Sequence, residues 1–561
     1  MLKKESLLRL CFIALAAVPA VLGWNVDLNY TFLGGDYGLV KSLIMVAILV
    51  LAAYFAFSLP EKYLRFPAPG EEEYRPDYRL FFLAGFVINL VYLLAYYPGV
   101  SYWDTWYQIA DFFDGTKLSL YEEGGQVLYT AFLNDHHPLM CAFLFSAFVM
   151  LGDALGAARI GVFIYGLLQC ALYSFVAVKV LKCLRASGAF AQKLCRVYYL
   201  FNPFLSYYAI CMSKDSIFSA LFVLYMIEYI NAFFGRSKEG GKDSFSAALL
   251  LYSLIIPLVK KTGIYIVILS NLVLLIKLFL SGSRSALWKK PAMSILLPAL
   301  LMFVLFPQFI FPLINVYPGG KQELYATLFQ QTALVKLADP EAYSPEEVKI
   351  IDAVFDYDAI EDNYDKNLTD PIKNSSRLST VTDQQMKDYF RLWLRTGLKY
   401  PGAYLKATFS TCMGYFAPIQ KLDVYTDNVH VRPMSDPPIF LFSPDSNVLR
   451  DIDLSLTGHP LACAAREVLY SLFYWLCYCP LTALFSYLAV YTWWIPLCGT
   501  YFLLRRRGFG SLLCLSPLYI SILTLIVSPY SYARYILSFV MLAPLVLFSA
   551  AVCPENMDGQ K

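Results

Sequence analysis

A dozen apolar runs of membrane-crossing length punctuate this chain, and no other feature restricts its fold so tightly. Taking about 17–25 apolar residues as one helical crossing, with several runs on the short side, they lie at about 7–23, 39–58, 80–97, 159–181, 197–213, 216–234, 245–259, 263–280, 291–313, 481–504, 509–528 and 535–552. Backbone in hydrocarbon must satisfy its hydrogen bonds within the segment, which selects helices. The expectation is an all-α polytopic membrane protein with about twelve transmembrane helices. Of the 561 residues, 58% are hydrophobic and 16% charged, far from a soluble composition. A net charge of +3 leaves no basic footprint for nucleic acid.

Basic clusters orient the path. Cytoplasmic loops carry the excess of Lys and Arg. With Lys3 and Lys4 inside, the clusters Lys62/Arg65/Arg75/Arg79, Lys179/Lys182/Arg185/Lys193/Arg196, Arg236/Lys238/Lys242, Arg284/Lys289/Lys290 and Arg505/Arg506/Arg507 all fall inside. This holds provided two apolar segments do not cross, one near 138–151 and one near 466–479; both are read as interfacial or re-entrant helices. The first run, behind Lys3, Lys4 and Arg9, has signal-peptide character, but with so many runs following it is read as an uncleaved first span. Both termini are then expected on the cytoplasmic side of a multi-pass protein of the cell membrane. The divisions are 1–79, two helices and a cytoplasmic loop; 80–313, a transmembrane core carrying an outer loop at 98–158; 314–465, an extracytoplasmic and mostly helical loop region; and 466–561, an interfacial helix and the last crossings.

Most of the thirteen cysteines lie in apolar runs and read as small buried hydrophobes. In the second loop the acidic run Asp352, Asp356, Asp358, Glu361, Asp362, Asp365 lacks the EF-hand spacing and reads as a solvated surface. Ser344-Pro345-Glu346-Glu347 opens a helix with serine as N-cap. Residues 386–398 form an amphipathic pattern, expected to lie along lipid headgroups.

Chemistry concentrates in the first outer loop. Tyr97-Pro98-Gly99 turns out of an apolar run, and Trp103, Asp104 and Gln108 follow among aromatics. Asp104, Gln108 and Asp111 share one helical face by spacing; helix capping by Ser101 or Asp104 is the plain alternative. Two of the four histidines adjoin in Asp135-His136-His137-Pro138, where imidazole can bind phosphate, orient a carboxylate or ligate a metal, or simply occupy a polar turn. Ser213-Lys214-Asp215 stands at the outer end of a span, and ionisable groups at that depth need a partner or a cavity; a snorkelling Lys214 paired with Asp215 is the alternative. Lys260, Lys261 and Arg534 break the charge bias by lying outside, which suits an anionic ligand such as a lipid phosphate. No GxxxxGK[ST], HExxH or GxSxG occurs, against a P-loop pump, a zincin or a serine hydrolase of the usual elbow type.

On these residues the layout resembles the GT-C class of membrane glycosyltransferases. Asp104 after Tyr97-Pro98-Gly99 matches the acidic residue of that class's first outer loop, and Asp215 the second acid. His137-Pro138-Leu139 matches the basic-residue-plus-proline start of its interfacial helix, and Arg534-Tyr535 its late Arg-Tyr pair. More narrowly, Gln330-Gln331, Asp370-Pro371-Ile372-Lys373 and Pro401-Gly402-Ala403-Tyr404 resemble a group of poorly characterised multi-pass proteins of Gram-positive bacteria. The resemblance implies transfer of a sugar from a polyprenyl-phosphate donor to a glycan, lipid or protein acceptor of the cell envelope. It implies catalytic roles for Asp104, Asp215 and His137. Substrate-binding roles fall to Trp103, Gln108, Lys214, Lys260, Lys261, Arg534 and Tyr535. A divalent cation, magnesium or manganese, bridging Asp104 and Asp215 is an open element of that expectation. The alternatives are a transporter or flippase of lipid-linked saccharide and a non-catalytic scaffold of the same fold.

Overall fold

The computed structural model describes residues 4–29, 40–54 in part, 76–113, 121–129 in part, 133–235, 246–280, 288–317, 322–422 except 379, and 456–552 except 481. The expected span at 39–58 and the basic residues Lys62, Arg65, Arg75, Arg236, Lys238, Lys242 and Arg284 lie wholly or partly outside them.

The helices are α1 Lys4–Asn29, α2 Tyr78–Ala95, α3 Trp103–Phe113, α4 Leu139–Ala154, α5 Ala158–Cys183, α6 Gly188–Phe201, α7 Pro203–Ala209, α8 Lys214–Phe233, α9 Ala247–Val259 and α10 Gly263–Leu280. There follow α11 Lys289–Leu313, α12 Gln322–Ala338, α13 Pro345–Asp352, α14 Asp370–Asn374, α15 Asp383–Lys399, α16 Pro401–Cys412, α17 Pro460–Tyr478, α18 Ile495–Arg507, α19 Phe509–Ile526 and α20 Ala533–Leu547. Strands are pairs of two to four residues. Among the described residues seven helices are long and apolar enough to cross a membrane: Leu7–Val26 within α1, α2, α5, α8, α10, α11 and α19. This is a helical membrane protein.

Two expectations change. The run at 197–213 is not one helix: Pro203 has no N–H to continue the ladder and pushes Asn202 out of helical geometry. Asn202 is accordingly extended, and its side chain caps α7 at Phe204 N (3.1 Å). The helix expected over 386–398 exists as α15, but its aromatic side does not rest on headgroups. Tyr389 is fully buried against Phe329 and Phe355 in a second, separate core built by α12–α16, because a soluble-type lobe supplies apolar partners that the pattern alone does not reveal.

Ser344 heads α13 in a capping box with Glu347. The acidic run is largely solvent-exposed, as expected, and three of its members pair with local cations. Arg377 Nη1 meets Asp352 Oδ2 at 2.6 Å and Nη2 meets Asp356 Oδ2 at 3.4 Å, while Glu361 meets Lys336 at 3.6 Å.

Side-chain and backbone contacts sort the helix ends into two sets. Lys182 at the end of α5 covers the Tyr78 ring at the start of α2 (5.2 Å), Lys277 of α10 meets Phe233 O of α8, and Arg507 Nε of α18 donates to Ala550 O (3.1 Å). At the other set, Thr457 N donates to Tyr97 O (2.9 Å), Lys260 meets Asp215, and Thr369 N donates to Pro529 O (3.1 Å).

Candidate functional site

The Pro98-Gly99 turn aims the chain from α2 into α3. Gly99 takes φ +141°, a value that favours glycine, and a Cβ added there would stand 3.3 Å from Ile210 O, with no room to spare. Val100-Ser101 then pairs in parallel with Cys211-Met212. Thr105 Oγ1 donates to Met212 O (2.6 Å), and Gln169 Nε2 from α5 serves the carbonyls of Tyr208, Ala209 and Cys211. These buried bonds lock the start of α3 to the start of α8. Ser213 caps α8 through Ser216 N (3.1 Å).

That junction places Lys214 against Asp104. The ammonium bonds Asp104 Oδ2 and also His137 Nδ1 (3.1 Å), while Arg534 Nη1 approaches Asp104 Oδ1 at 3.5 Å. Burial works against the Asp104 charge, but Lys214 and then Arg534 outweigh it and hold the carboxyl well below the usual carboxylate range. Burial, reinforced by Lys214, holds the His137 imidazole well below its usual value. The ring is therefore neutral, with Nδ1 accepting from the ammonium. Asp104 nevertheless keeps 20% of its side chain exposed.

A second group sits beside the first. Asp215 Oδ1 meets Lys260 Nζ at 2.7 Å, and that ammonium lies 4.7 Å from the Tyr535 ring and 5.0 Å from Phe218. Consecutive helical residues face different ways, so Lys214 and Asp215 serve different partners, and the alternative of a pairing between them does not hold. Ser213, not either charge, is the cap. Ser101 lies in the paired strand and Asp104 inside the first helical turn with its carboxylate on the cations, so capping does not account for Asp104.

Lys261 is drawn elsewhere, to the carbonyl and Oδ2 (2.8 Å) of Asp135. Gln108 Nε2 holds Pro138 O (3.2 Å), and its Oε1 is buried without a hydrogen-bond partner. Trp103 opens α3; its side chain lies outside the described residues, as do those of Glu122 and Glu123. Asp111, one turn beyond Gln108, is pushed by burial to about 7.

Sequence reasoning assigned no role to Tyr102 and Tyr208, whose hydroxyls bond beneath the site, or to Glu323 and Lys373, which approach it from the second lobe. Lys373 closes the quoted Asp370-Pro371-Ile372-Lys373 motif, a signal that pointed at it without a reason. Among the described residues no group of three or more His, Cys, Asp or Glu could hold a metal. The Lys214 ammonium stands between Asp104 and His137, and Lys260 claims Asp215, so these donors do not fit a bridging divalent cation.

Residues 128–558 match the family of unknown function DUF6020. The chain belongs to this family. The DUF6020 match begins between Asp104 and His137, so it takes in His137, Lys214, Asp215, Lys260, Lys261, Arg534 and Tyr535, and not Asp104 or Gln108. No curated protein and no solved structure matches the chain.

Proposed function

We propose that this protein is a membrane glycosyltransferase of GT-C type. It moves a sugar from a polyprenyl-phosphate donor to a hydroxyl-bearing cell-envelope acceptor on the outer face of the cell membrane. The observation that carries the reading is Asp104: a carboxylate kept ionised by Lys214 and Arg534 yet open to a ligand at one end of a helical bundle.

Chemically, Asp104 accepts the proton of the acceptor hydroxyl as its oxygen bonds to the anomeric carbon. The bond from that carbon to the phosphate oxygen breaks, and its electron pair leaves on polyprenyl phosphate. Lys214 and Arg534 stabilise the leaving phosphate's charge. A donor phosphate that draws these cations onto its own oxygens weakens their hold on Asp104, raising its basicity when a base is required. His137, neutral and bonded to Lys214, sets where that ammonium sits. The second pair, Asp215 with Lys260, fixes the start of α8 beside it. No metal step is needed.

A cavity of about 660 Å³ supports a lipid substrate. It is lined mainly by apolar side chains of α6, α7, α17 and α20, among them Phe204, Phe473 and Leu547, with Phe485 from the segment after α17. An aromatic file leads from it to the site: Phe204 lies 4.7 Å from Tyr208, Tyr208 stacks 6.0 Å from Tyr102, and Arg534 covers Tyr102 at 5.1 Å.

The topology that goes with this reading has twelve crossings with both termini cytoplasmic. The two sets of helix-end contacts support it: Lys182, Lys277 and Arg507 gather at the opposite end from Asp104. α4 and α17 support it as non-crossing helices. α17 holds Ala95 O through Arg466 Nη1 (2.9 Å) near its start, and at its far end Cys477 O accepts from Lys421 (3.1 Å), next to Gln420, whose Oε1 accepts from Tyr530 Oη (3.5 Å).

The test is transfer from a labelled polyprenyl-phosphate sugar by full-length protein in proteoliposomes. Asp104→Asn is expected to lower kcat by about 10²–10⁴-fold with normal expression. Unchanged transfer by that variant would overturn the base assignment.

A further inference from the structure

The turn that carries His137 is held residue by residue from different elements. Asp135 is bonded by Lys261 ahead of α10, His137 by Lys214 of α8, and Pro138 O by Gln108 of α3. The remaining residue, His136, is met from the second lobe. Its Nε2 lies 4.0 Å from Glu323 Oε1 on α12, and the same Glu323 oxygen is 2.7 Å from Lys373 Nζ on α14. Lys373 also meets Asp370 at 2.7 Å and is nearly buried.

Two further ties bracket this contact. Leu133-Asn134 pairs in parallel with Val316-Tyr317, just ahead of both His136 and Glu323 in sequence. Thr369, next to Asp370, donates its N–H to Pro529 O, five residues before Arg534. The lobe is therefore pinned to two of the three segments that bring cationic or imidazole groups to Asp104, those of His137 and Arg534, the third being the start of α8 with Lys214. His136 and His137 touch edge to face with centroids 4.6 Å apart, so a pull on one ring is felt by the other.

We infer that Glu323, held by Lys373, is a positioning residue: through His136 the second lobe sets the His137 ring against Lys214 and thereby completes the site. The lobe is then an obligatory roof of the site as well as a separately cored unit. The positioning stands on this geometry alone; its catalytic consequence rests on the sugar-transfer reading.

The groups facing His136 are Glu323, Lys214, Lys373 and Lys261, with burial the first influence and all but Glu323 opposing its protonation. The joint thus works as a geometric contact to a largely neutral ring, and losing the Glu323 side chain removes it at any pH near neutrality.

The experiment measures carbethoxylation of His137 by diethyl pyrocarbonate, with residue-level mass spectrometry on the full-length protein in nanodiscs. Glu323→Ala and Lys373→Met are expected to raise the His137 rate at least threefold. Arg377→Ala, which breaks the Asp352 and Asp356 pairs elsewhere in the lobe, serves as the control and is expected to leave it within a factor of about 1.5. In transfer assays Glu323→Ala is expected to lower kcat at least tenfold with donor KM unchanged. An unchanged His137 rate in Glu323→Ala overturns the inference, and so does an equal rise in Arg377→Ala, which would mean general loosening of the lobe. If wild-type protein transfers no sugar, the proposed activity falls while the histidine rates still decide the joint.

Discussion

At the scale of single residues, the site separates carboxyls by their partners. Asp104 and Asp111 lie on one helix seven positions apart, yet cations hold the first well below the ordinary range and burial raises the second to about 7. The Asp111 shift has a stability cost whose sign is fixed. Its folded value lies above the unfolded 3.8, so the folded state holds the proton more tightly. Stability falls as pH rises from 3.8 to 7 and is level beyond. At about 1.4 kcal/mol per unit, three units give an upper limit near 4 kcal/mol, and partial exposure reduces it to about 2. Asp111→Asn should therefore raise the unfolding temperature clearly at pH 8, less at pH 5 and not at all at pH 3, read by thermal melts in nanodiscs; an equal shift at all three pH values would refute it. Asp104 was legible in the sequence because a carboxylate among aromatics at a span end demands an explanation. Its partners Lys214 and Arg534 lie 110 and 430 positions away, beyond any local periodicity. Lys214 was marked only as an ionisable group at a span end and Arg534 by its breach of the charge bias, which marked Lys261 equally, although Lys261 serves Asp135.

At the scale of elements, periodicity revealed which face of a helix is apolar but not what covers it. In α15, Tyr389, Leu392 and Thr396 are buried in the lobe core, while Leu394 and Leu398 remain 58% and 79% exposed. The 386–398 pattern shows the helix and hides that choice. Similarly, α4 at 16 residues was too short for a crossing, and its real job is to pack along α5 in a tight hairpin. Glycines permit that approach. A Cβ on Gly161 would stand 1.7 Å from Phe148 O, and one on Gly152 would stand 2.4 Å from Gly161 N. The obstacles are backbone atoms, so no rotamer change relieves them. Gly161→Val should cost about 3 kcal/mol or more by overpacking, and because α4 begins at Leu139, directly after His137-Pro138, the damage should reach the site. Folded yield by size-exclusion chromatography and the His137 carbethoxylation rate read the two effects. Normal yield with a protected His137 would refute the hairpin as the support of that turn.

At the scale of the whole molecule, two sets of contacts hold opposite ends of the helices, and the reading depends on which end faces out. Asp104, Asp215, Pro529 and the lobe lie together, since Glu323 reaches His136 and Thr369 reaches Pro529. Lys182 and Tyr78 lie at the other end with Arg185 and Ala186 following. Parity argued from basic clusters is fragile, because one misjudged run inverts everything after it; contacts between distant ends tie the loops together in space and remove that accumulation of error. Ala186 and Glu361 are both exposed and report the two ends independently. An impermeant maleimide applied to intact cells should label Glu361→Cys, while Ala186→Cys should react only after permeabilisation, each compared with wild type to subtract the native cysteines. The reverse pattern would place Asp104 at the cytoplasmic end. An extracytoplasmic acceptor could then not reach Asp104, and outer-face sugar transfer would fail even with every distance at the site unchanged.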